Sequence, residues 1–271
     1  MASNINILFI GDIVGNAGME VTASFIKSFI DKFKIDFVIA NGENACEGKS
    51  ISEAQLNRLF ELGVHTVTSG NHIWERHHIY KLLATEPRLL RPANYPQGNA
   101  GRGFGIYDIG TKGKIAVANL QGRTYMFDID CPFKTADWIL TRIAPETKNI
   151  IIDMHAEATA EKIAMGWYLD GKVSAVIGTH THVQTADARI LPEGTAYITD
   201  VGMSGPHHSV VGMKKEIAIR RFMLQTPHKY EAADGDVHFT AVKISVEGDT
   251  GKARNIETIF YPEFIRDGNN H

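Results

Sequence analysis

Asp12, Glu43, Asn44, Asn71, His155, His180 and His182 are the side chains of this sequence best suited to holding metal ions. They stand in short polar stretches: "GDIVG" holds Asp12, "NGEN" holds Glu43 and Asn44, and "GNHIWE" holds Asn71 and His72. Further on, "DMHAE" holds His155 and "GTHTH" holds His180 and His182. Singly, each has an ordinary reading. Asp12 suits a helix N-terminus, where the macrodipole favours a carboxylate. Glu43-Asn44 suits a turn, and a histidine after an apolar run suits a strand end. Together, and in this order, they suggest a site. Imidazole nitrogens with carboxylate and amide oxygens, and no thiolate, favour iron, manganese or zinc over soft metals. Glu43 has two oxygens and can bridge two ions, while the amides add oxygen donors without charge. Two ions about 3.5–4 Å apart acidify a shared water and stabilise in-line displacement at phosphorus.

Such a site needs elements that bring these stretches together. "INILFIG" (5–11), "DFVIAN" (36–41) and "HTVTSG" (65–70) read as strands, separated by helices from about Met19 to Lys34 and from Ser52 to Leu62, with Ser52 as N-cap. This β-α-β-α-β order implies right-handed crossovers and a largely parallel sheet. "RPANYPQGNAGRGFG" (91–105) reads as a loop, and "FGIYDIG" and "KIAVANL" (114–120) as an antiparallel pair. "NIIIDMH" (149–155) and "VSAVIGTH" (173–180) are further strands, with helices near Lys134–Ile143 and Ala158–Tyr168. Short strands at "ARIL", "TAYITD", 237–247 and 253–261 follow, with a helix at Lys215–Leu224. The polar stretches thus fall just past the carboxyl ends of strands, where open α/β sheets bind ligands. Alternation along an extended "GTHTH" would put His180 and His182 on one side, able to feed two ions, with Thr181 turned away.

The 271 residues suit one domain, 1–271, of mixed strands in two stacked sheets with helices outside. A net charge of −3 provides no basic field for an extended nucleic-acid surface or an anionic membrane. No apolar stretch approaches 18 residues, so none is expected to span a membrane. Cys46 and Cys131 suggest no disulfide framework, which fits a reducing cytoplasm.

The ordered GD, GEN, GNH, H and GTHTH set resembles the calcineurin-like metallophosphoesterase superfamily. "GDIVGNAG", "NGENACEGKSI", "SGNHIWE", "NLQGR", "DMHAE", "GTHTHV" and "YITDVGMSGPHHSVVGM" resemble, more narrowly, its YmdB-like bacterial phosphodiesterase branch. The resemblance runs from Gly11 to about Met213. Many superfamily members carry histidine where this chain has Val14, and a bridging aspartate where it has Glu43; the YmdB-like branch shares both changes. The resemblance implies a four-layered α/β/β/α sandwich of two mixed sheets flanked by helices. It implies two divalent or trivalent metal ions, iron or manganese foremost, with zinc as the alternative. One ion would take Asp12, Glu43, Asn44 and His182, and the other Glu43, Asn71, His155 and His180. His72 would stand beside the leaving oxygen as general acid or hydrogen-bond donor, a role open to an imidazole near neutral pH.

The implied activity is hydrolysis of cyclic nucleotides, 2′,3′-cyclic and also 3′,5′-cyclic, with a metal-bridging hydroxide as nucleophile and a small phosphodiester as substrate. Homo-oligomers are implied as well. A phosphatase, an RNA-directed phosphoesterase and a regulatory protein of low turnover are the competing readings. Arg123 is a candidate phosphate contact, because a guanidinium fork matches phosphate oxygens, though a surface arginine reads the same way. His207 and His208, in "GPHHSVVG", either touch substrate or belong to a rigid loop. His65 reads as structural, His77 and His78 as a solvated helix face, and Cys46 as a small buried thiol.

Overall fold

A computed structural model describes residues 4–264; positions 1–3 and 265–271 of the expected domain lie outside the described residues. In chain order the first half consists of β1 (Asn4–Ile10), β2 (Asp12–Ile13), α1 (Gly15–Phe33), β3 (Phe37–Asn41), α2 (Glu53–Glu61), β4 (Thr66–Thr68), a 3-10 turn (Asn71–Glu75), α3 (Ile79–Thr85), β5 (Phe104–Asp108) and β6 (Lys114–Gln121). Then come α4 (Pro132–Ile143), β7 (Ile150–His155), α5 (Thr159–Leu169), β8 (Ala175–Thr179), β9 (Arg189–Ile190), β10 (Ala196–Ile198), β11 (Met203–Pro206), α6 (Lys215–Leu224), β12 (Val237–Glu247) and β13 (Ala253–Tyr261).

The strands form two mixed sheets. One runs β2-β11-β12-β1-β3-β4, with β13 also paired to β12; the other runs β5-β6-β7-β8-β10-β9. β1, β3 and β4 are parallel, as the early alternation requires, and β5 and β6 form the expected antiparallel pair. Alternation along the strands sorts side chains into three cores. Ile5, Ile7 and Phe9 face the second sheet and meet Val117, Ile151 and Ile177. Leu8 and Ile10 face outward onto Met19, Ile26 and Phe29 of α1. Beyond the second sheet, Ala118 and Ile152 meet Ile139 of α4 and Met165 of α5. Three cores separate four layers, α/β/β/α. Each fully buried Leu, Ile or Phe side chain contributes about 1.5–3 kcal/mol by leaving water.

Helix boundaries follow local chemistry. Ser52 caps α2 reciprocally: Gln55 N–H donates to Ser52 Oγ at 3.3 Å, and Ser52 N–H to Gln55 Oε1 at 3.1 Å. Such a cap contributes about 1 kcal/mol. α1 begins at Gly15, earlier than the expected Met19, because its first turn lacks large apolar residues and so shows no helical period. Gly18 lets that turn lie against β11; a β-carbon there would overlap the Ser204 carbonyl oxygen. α3 starts only at Ile79, so His77 and His78 precede the helix rather than lie along it. Cys46 is half-buried rather than buried.

Candidate metal centre

Each sequence-predicted ligand sits at a strand end. Asp12 opens β2, Glu43 and Asn44 turn away from β3, Asn71 and His72 begin the 3-10 turn after β4, and His155 ends β7. His180 and His182 follow β8. β1, β3 and β4 belong to one sheet and β7 and β8 to the other, so the site lies where the carboxyl ends of both sheets meet.

Glu43, His155 and His180 each offer a ligand atom, all within 4.8 Å of one another. His155 Nε2 is 3.1 Å from Glu43 Oε1, 3.1 Å from Asn71 Oδ1 and 3.0 Å from His180 Nδ1. Metal–ligand bonds of about 2.0–2.2 Å put neighbouring ligands about 3 Å apart, so this spacing suits one shared ion. The second group adjoins it through Glu43. Asn44 Nδ2 is 3.1 Å from Glu43 Oε1 and 3.2 Å from His182 Nε2, which itself lies 3.9 Å from Asp12 Oδ1. Asp12 Oδ1 is fully buried without a hydrogen-bond partner. An orphaned buried oxygen of this kind costs about 1–3 kcal/mol or more, a cost that a bound cation would remove. Ligation by Asn44 calls for its amide turned by 180°, so that Oδ1 faces the ion.

The ring nitrogens pointing away from the cluster are all engaged by acceptors. His182 Nδ1 donates to the Val211 carbonyl at 2.9 Å, and His180 Nε2 lies 3.1 Å from Glu157 Oε2. His155 Nδ1 donates to Thr179 Oγ1 at 2.9 Å, because that hydroxyl gives its own proton to Asp153 at 2.7 Å. Each ring can therefore present the opposite nitrogen's lone pair to an ion, the arrangement by which outer partners fix metal-ligating histidines. The donor set fits a binuclear centre.

Burial opposes charge throughout the cluster. It pushes Asp12 well above the usual carboxylate range and Asp153 up to about 6. It pushes His180 down to about 2 and lowers His182. Glu43 and His155 move the other way. Burial disfavours charge on each, yet their mutual attraction holds Glu43 below the usual carboxylate range and His155 up at about 9. Without an ion, a proton on His155 is the positive charge that faces Glu43.

"GTHTH" reaches the site by a different route from the one its alternation suggested. β8 ends at Thr179, and His180 and His182 have φ of 98° and 65°, a left-handed backbone that residues with a β-carbon seldom adopt. Asp200 holds this shape. Its Oδ2 accepts from Thr181 N–H at 3.0 Å, Thr181 Oγ1 at 2.7 Å and Lys162 Nζ at 2.8 Å. Asp12 Oδ2 accepts from His180 N–H at 3.1 Å. Thr181 is thus bound to Asp200 while its neighbours turn to the cluster.

His72 N–H donates to Glu43 Oε2 at 2.9 Å, and His72 Nδ1 lies 2.6 Å from Glu75 Oε1. Glu75 also pairs with Lys49. The His72 ring is half-exposed and lines a cavity of about 1170 Å³ over the cluster. Arg123, His207 and His208 do not line that cavity. Arg123 N–H donates to Glu161, His207 Nε2 to the Met203 carbonyl, and His208 contacts Lys215. Sequence reasoning missed Glu75, Asp153, Glu157, Lys162 and Asp200. For Glu75, Asp153 and Glu157 there was a signal, since each is an acid within three residues of a site histidine.

Similarity to known proteins follows the same outline. The YmdB-like protein family matches residues 8–259. A Bacillus subtilis (strain 168) protein named 2′,3′-cyclic-nucleotide 2′-phosphodiesterase is 46% identical over 255 residues, covering 94% of this chain and 96% of that one. A crystal structure titled as a novel phosphatase from Mycoplasma pneumoniae superposes with a TM-score of 0.91 at 34% identity, over 96% of this chain and 94% of that one. A Thermus thermophilus structure, titled as a hypothetical protein, gives 0.89 at 39% identity, over 95% and 99%. Fold, strand-end ligands and family match agree: the chain belongs to the YmdB-like family of metallophosphoesterases.

Proposed function

We propose that this hydrolase is a binuclear phosphodiesterase acting on nucleoside 2′,3′-cyclic phosphates, breaking the bond from phosphorus to the 2′ oxygen and leaving a 3′-monophosphate. The observation that carries the reading is Glu43. It is fully buried, with Oε1 3.1 Å from His155 Nε2, and it belongs by position to both ligand groups. The name of the Bacillus subtilis relative supports the substrate class and the bond broken. 3′,5′-Cyclic nucleotides present the same diester to the same residues and are the second substrate of this reading.

Asp12, Asn44 and His182 would hold one ion, and Asn71, His155 and His180 the other, with Glu43 between them; iron or manganese suits these donors best. Two such ions supply the Lewis acidity that activates water and neutralises the phosphoryl oxygens. The chain itself orients and protonates. Glu75 holds His72 Nδ1, which leaves Nε2 to give a proton or hydrogen bond to the departing 2′ oxygen. Lys49 and Arg76, which line the cavity with His72, attract the anionic substrate. Homo-oligomeric assembly and a cytoplasmic setting belong to the same reading. Both cysteines are free, and no helix among the described residues is long and apolar enough to cross a membrane.

The test is a substrate panel with manganese-loaded protein: 2′,3′-cyclic AMP, 3′,5′-cyclic AMP, a phosphotyrosine peptide and a short RNA. Fastest turnover of 2′,3′-cyclic AMP, with adenosine 3′-monophosphate as product, is expected. Faster turnover of the peptide would make the chain a phosphatase, and faster turnover of the RNA an RNA-directed phosphoesterase. A centre that turned over none of them would leave the regulatory reading.

A further inference from the structure

A second cavity, of about 480 Å³, shares Val211, Arg221 and Tyr230 with the cavity over the metal centre. Its remaining wall is largely apolar, with Met213, Phe222 and Pro227 among its residues. The two are close. The Val211 carbonyl that borders the second cavity accepts the hydrogen bond from His182, a ligand in the first, at 2.9 Å. Tyr230 is a fixed partition: its ring lies against Gly48, where a β-carbon would overlap it, and Gly48 has φ of 81°. Burial raises the Tyr230 phenol to about 12.

We propose that this second cavity seats the base of the nucleotide whose phosphate occupies the metal centre. The inference rests on the phosphodiesterase reading above and adds the substrate's other end. A base has two apolar faces and a polar edge, and the cavity offers matching groups. Tyr230 and Phe222 give ring faces for stacking. Gln225 Nε2 donates to the Phe222 carbonyl at 2.9 Å, so its Oε1 remains available to an exocyclic amine. Arg221 has no carboxylate partner among the described residues and lines both cavities, so its guanidinium stands where ribose and phosphate would pass. Phe222 is 71% exposed, and an aromatic ring left that open at a cavity rim gains by covering a base. An apolar side chain of a second copy is the rival occupant. It would use the apolar wall but not the continuity with the metal centre.

Calorimetric titration of metal-loaded protein with adenosine 3′-monophosphate and with ribose 5-phosphate tests this without turnover. The wild type should bind the adenosine compound about tenfold or more tightly than the sugar phosphate. Phe222→Ala and Tyr230→Ala should each lose about tenfold on the adenosine compound and nothing on the sugar phosphate. Phe222 is exposed enough that its variant keeps the fold if Tyr230→Ala does not. Equal affinity of the wild type for both ligands would overturn the proposal. So would a Phe222→Ala variant that dissociates an oligomer while binding adenosine 3′-monophosphate unchanged. Hydrolysis of 2′,3′-cyclic AMP in parallel separates the two readings. Turnover without base preference sinks the base site alone, and base preference without turnover supports the base site and sinks the phosphodiesterase reading.

Discussion

Lys162 Nζ lies 2.8 Å from Asp200 Oδ2, and neither side chain is exposed to solvent. The pair stands outside the candidate ligands but holds the segment that carries two of them. Lys162 also donates to the Thr179 carbonyl at 3.0 Å, and the same Asp200 oxygen takes both donors of Thr181. Asp200 Oδ1 accepts from Gly202 N–H at 2.8 Å. The buried ammonium and carboxylate therefore clamp the segment on which His180 and His182 adopt their left-handed backbone. Strain of this kind costs on the order of 1–3 kcal/mol per residue and persists only where the surroundings enforce it.

Lys162→Met should accordingly leave Asp200 buried and unpaired. Breaking a buried pair in this way costs about 3–5 kcal/mol. Urea denaturation of metal-free protein should register that loss, and metal content should fall in the variant. A stability change below about 1 kcal/mol with full metal content would show that the clamp is not needed.

Gly70→Ala should disable the centre with one methyl group. The backbone there is extended, with φ of −162°, so conformation is no obstacle. The obstacle is space, because a β-carbon at 70 would overlap His155 Nε2 and crowd Glu43 Oε2. His155 cannot retreat, being fully buried and tied through Thr179 to Asp153. Displacing a ligand by an ångström costs about a hundredfold in rate. A Gly70→Ala enzyme within twofold of the wild type would contradict the packing described.

His72→Ala and Glu75→Gln should slow turnover while leaving metal content unchanged. General acid catalysis contributes about 10²–10⁴-fold when the leaving group is a poor one. The loss should be large for 2′,3′-cyclic AMP, which expels an alkoxide, and small for bis-p-nitrophenyl phosphate, whose phenolate needs no proton. Equal losses on both substrates would assign His72 to binding instead.

Chelated protein should lose stability as pH rises from about 6.5 through about 9. Burial alone would lower His155, but the carboxylates of Glu43 and Asp12 outweigh it and hold the ring at about 9, above its ordinary 6.5. A group raised on folding stabilises fully below its unfolded pKa, and that contribution vanishes as the pH passes its folded value. Metal ions should cancel the slope, because binding displaces the proton. Melting curves at pH 6.5, 8 and 9.5, with and without manganese, check this; a flat profile in the chelated protein would refute it.

The candidate cluster was legible because each of its residues stands at a strand end, where Asp, Glu, Asn and His interrupt apolar runs such as Ile150–Ile152. Two stacked sheets with helices outside were legible from the order of strands and helices, and the four layers from the family resemblance. Lys162 was not, since a lysine on a helix reads as solvated and its partner lies 38 positions away. Asp200 closes the expected strand "TAYITD", and nothing beside it in the sequence marks its partners. The backbone of "GTHTH" was hidden for a related reason. Left-handed geometry at two histidines is imposed by Asp200 and Asp12 from distant segments, and no local pattern encodes it. Tyr230 follows α6 in a stretch without periodicity, and only the folded chain brings it to Gly48.

The central claim is that these strand-end residues hold two ions joined by Glu43. Metal analysis of protein reconstituted with manganese and freed of excess tests it most directly, alongside His182→Ala, His180→Ala and Glu43→Gln. The account predicts two ions per chain in the wild type. It predicts that His182→Ala loses mainly the ion beside Asp12, that His180→Ala loses mainly the ion beside Asn71, and that Glu43→Gln retains neither firmly. A wild-type chain that binds one ion or none, or a Glu43→Gln variant that keeps two, would contradict it.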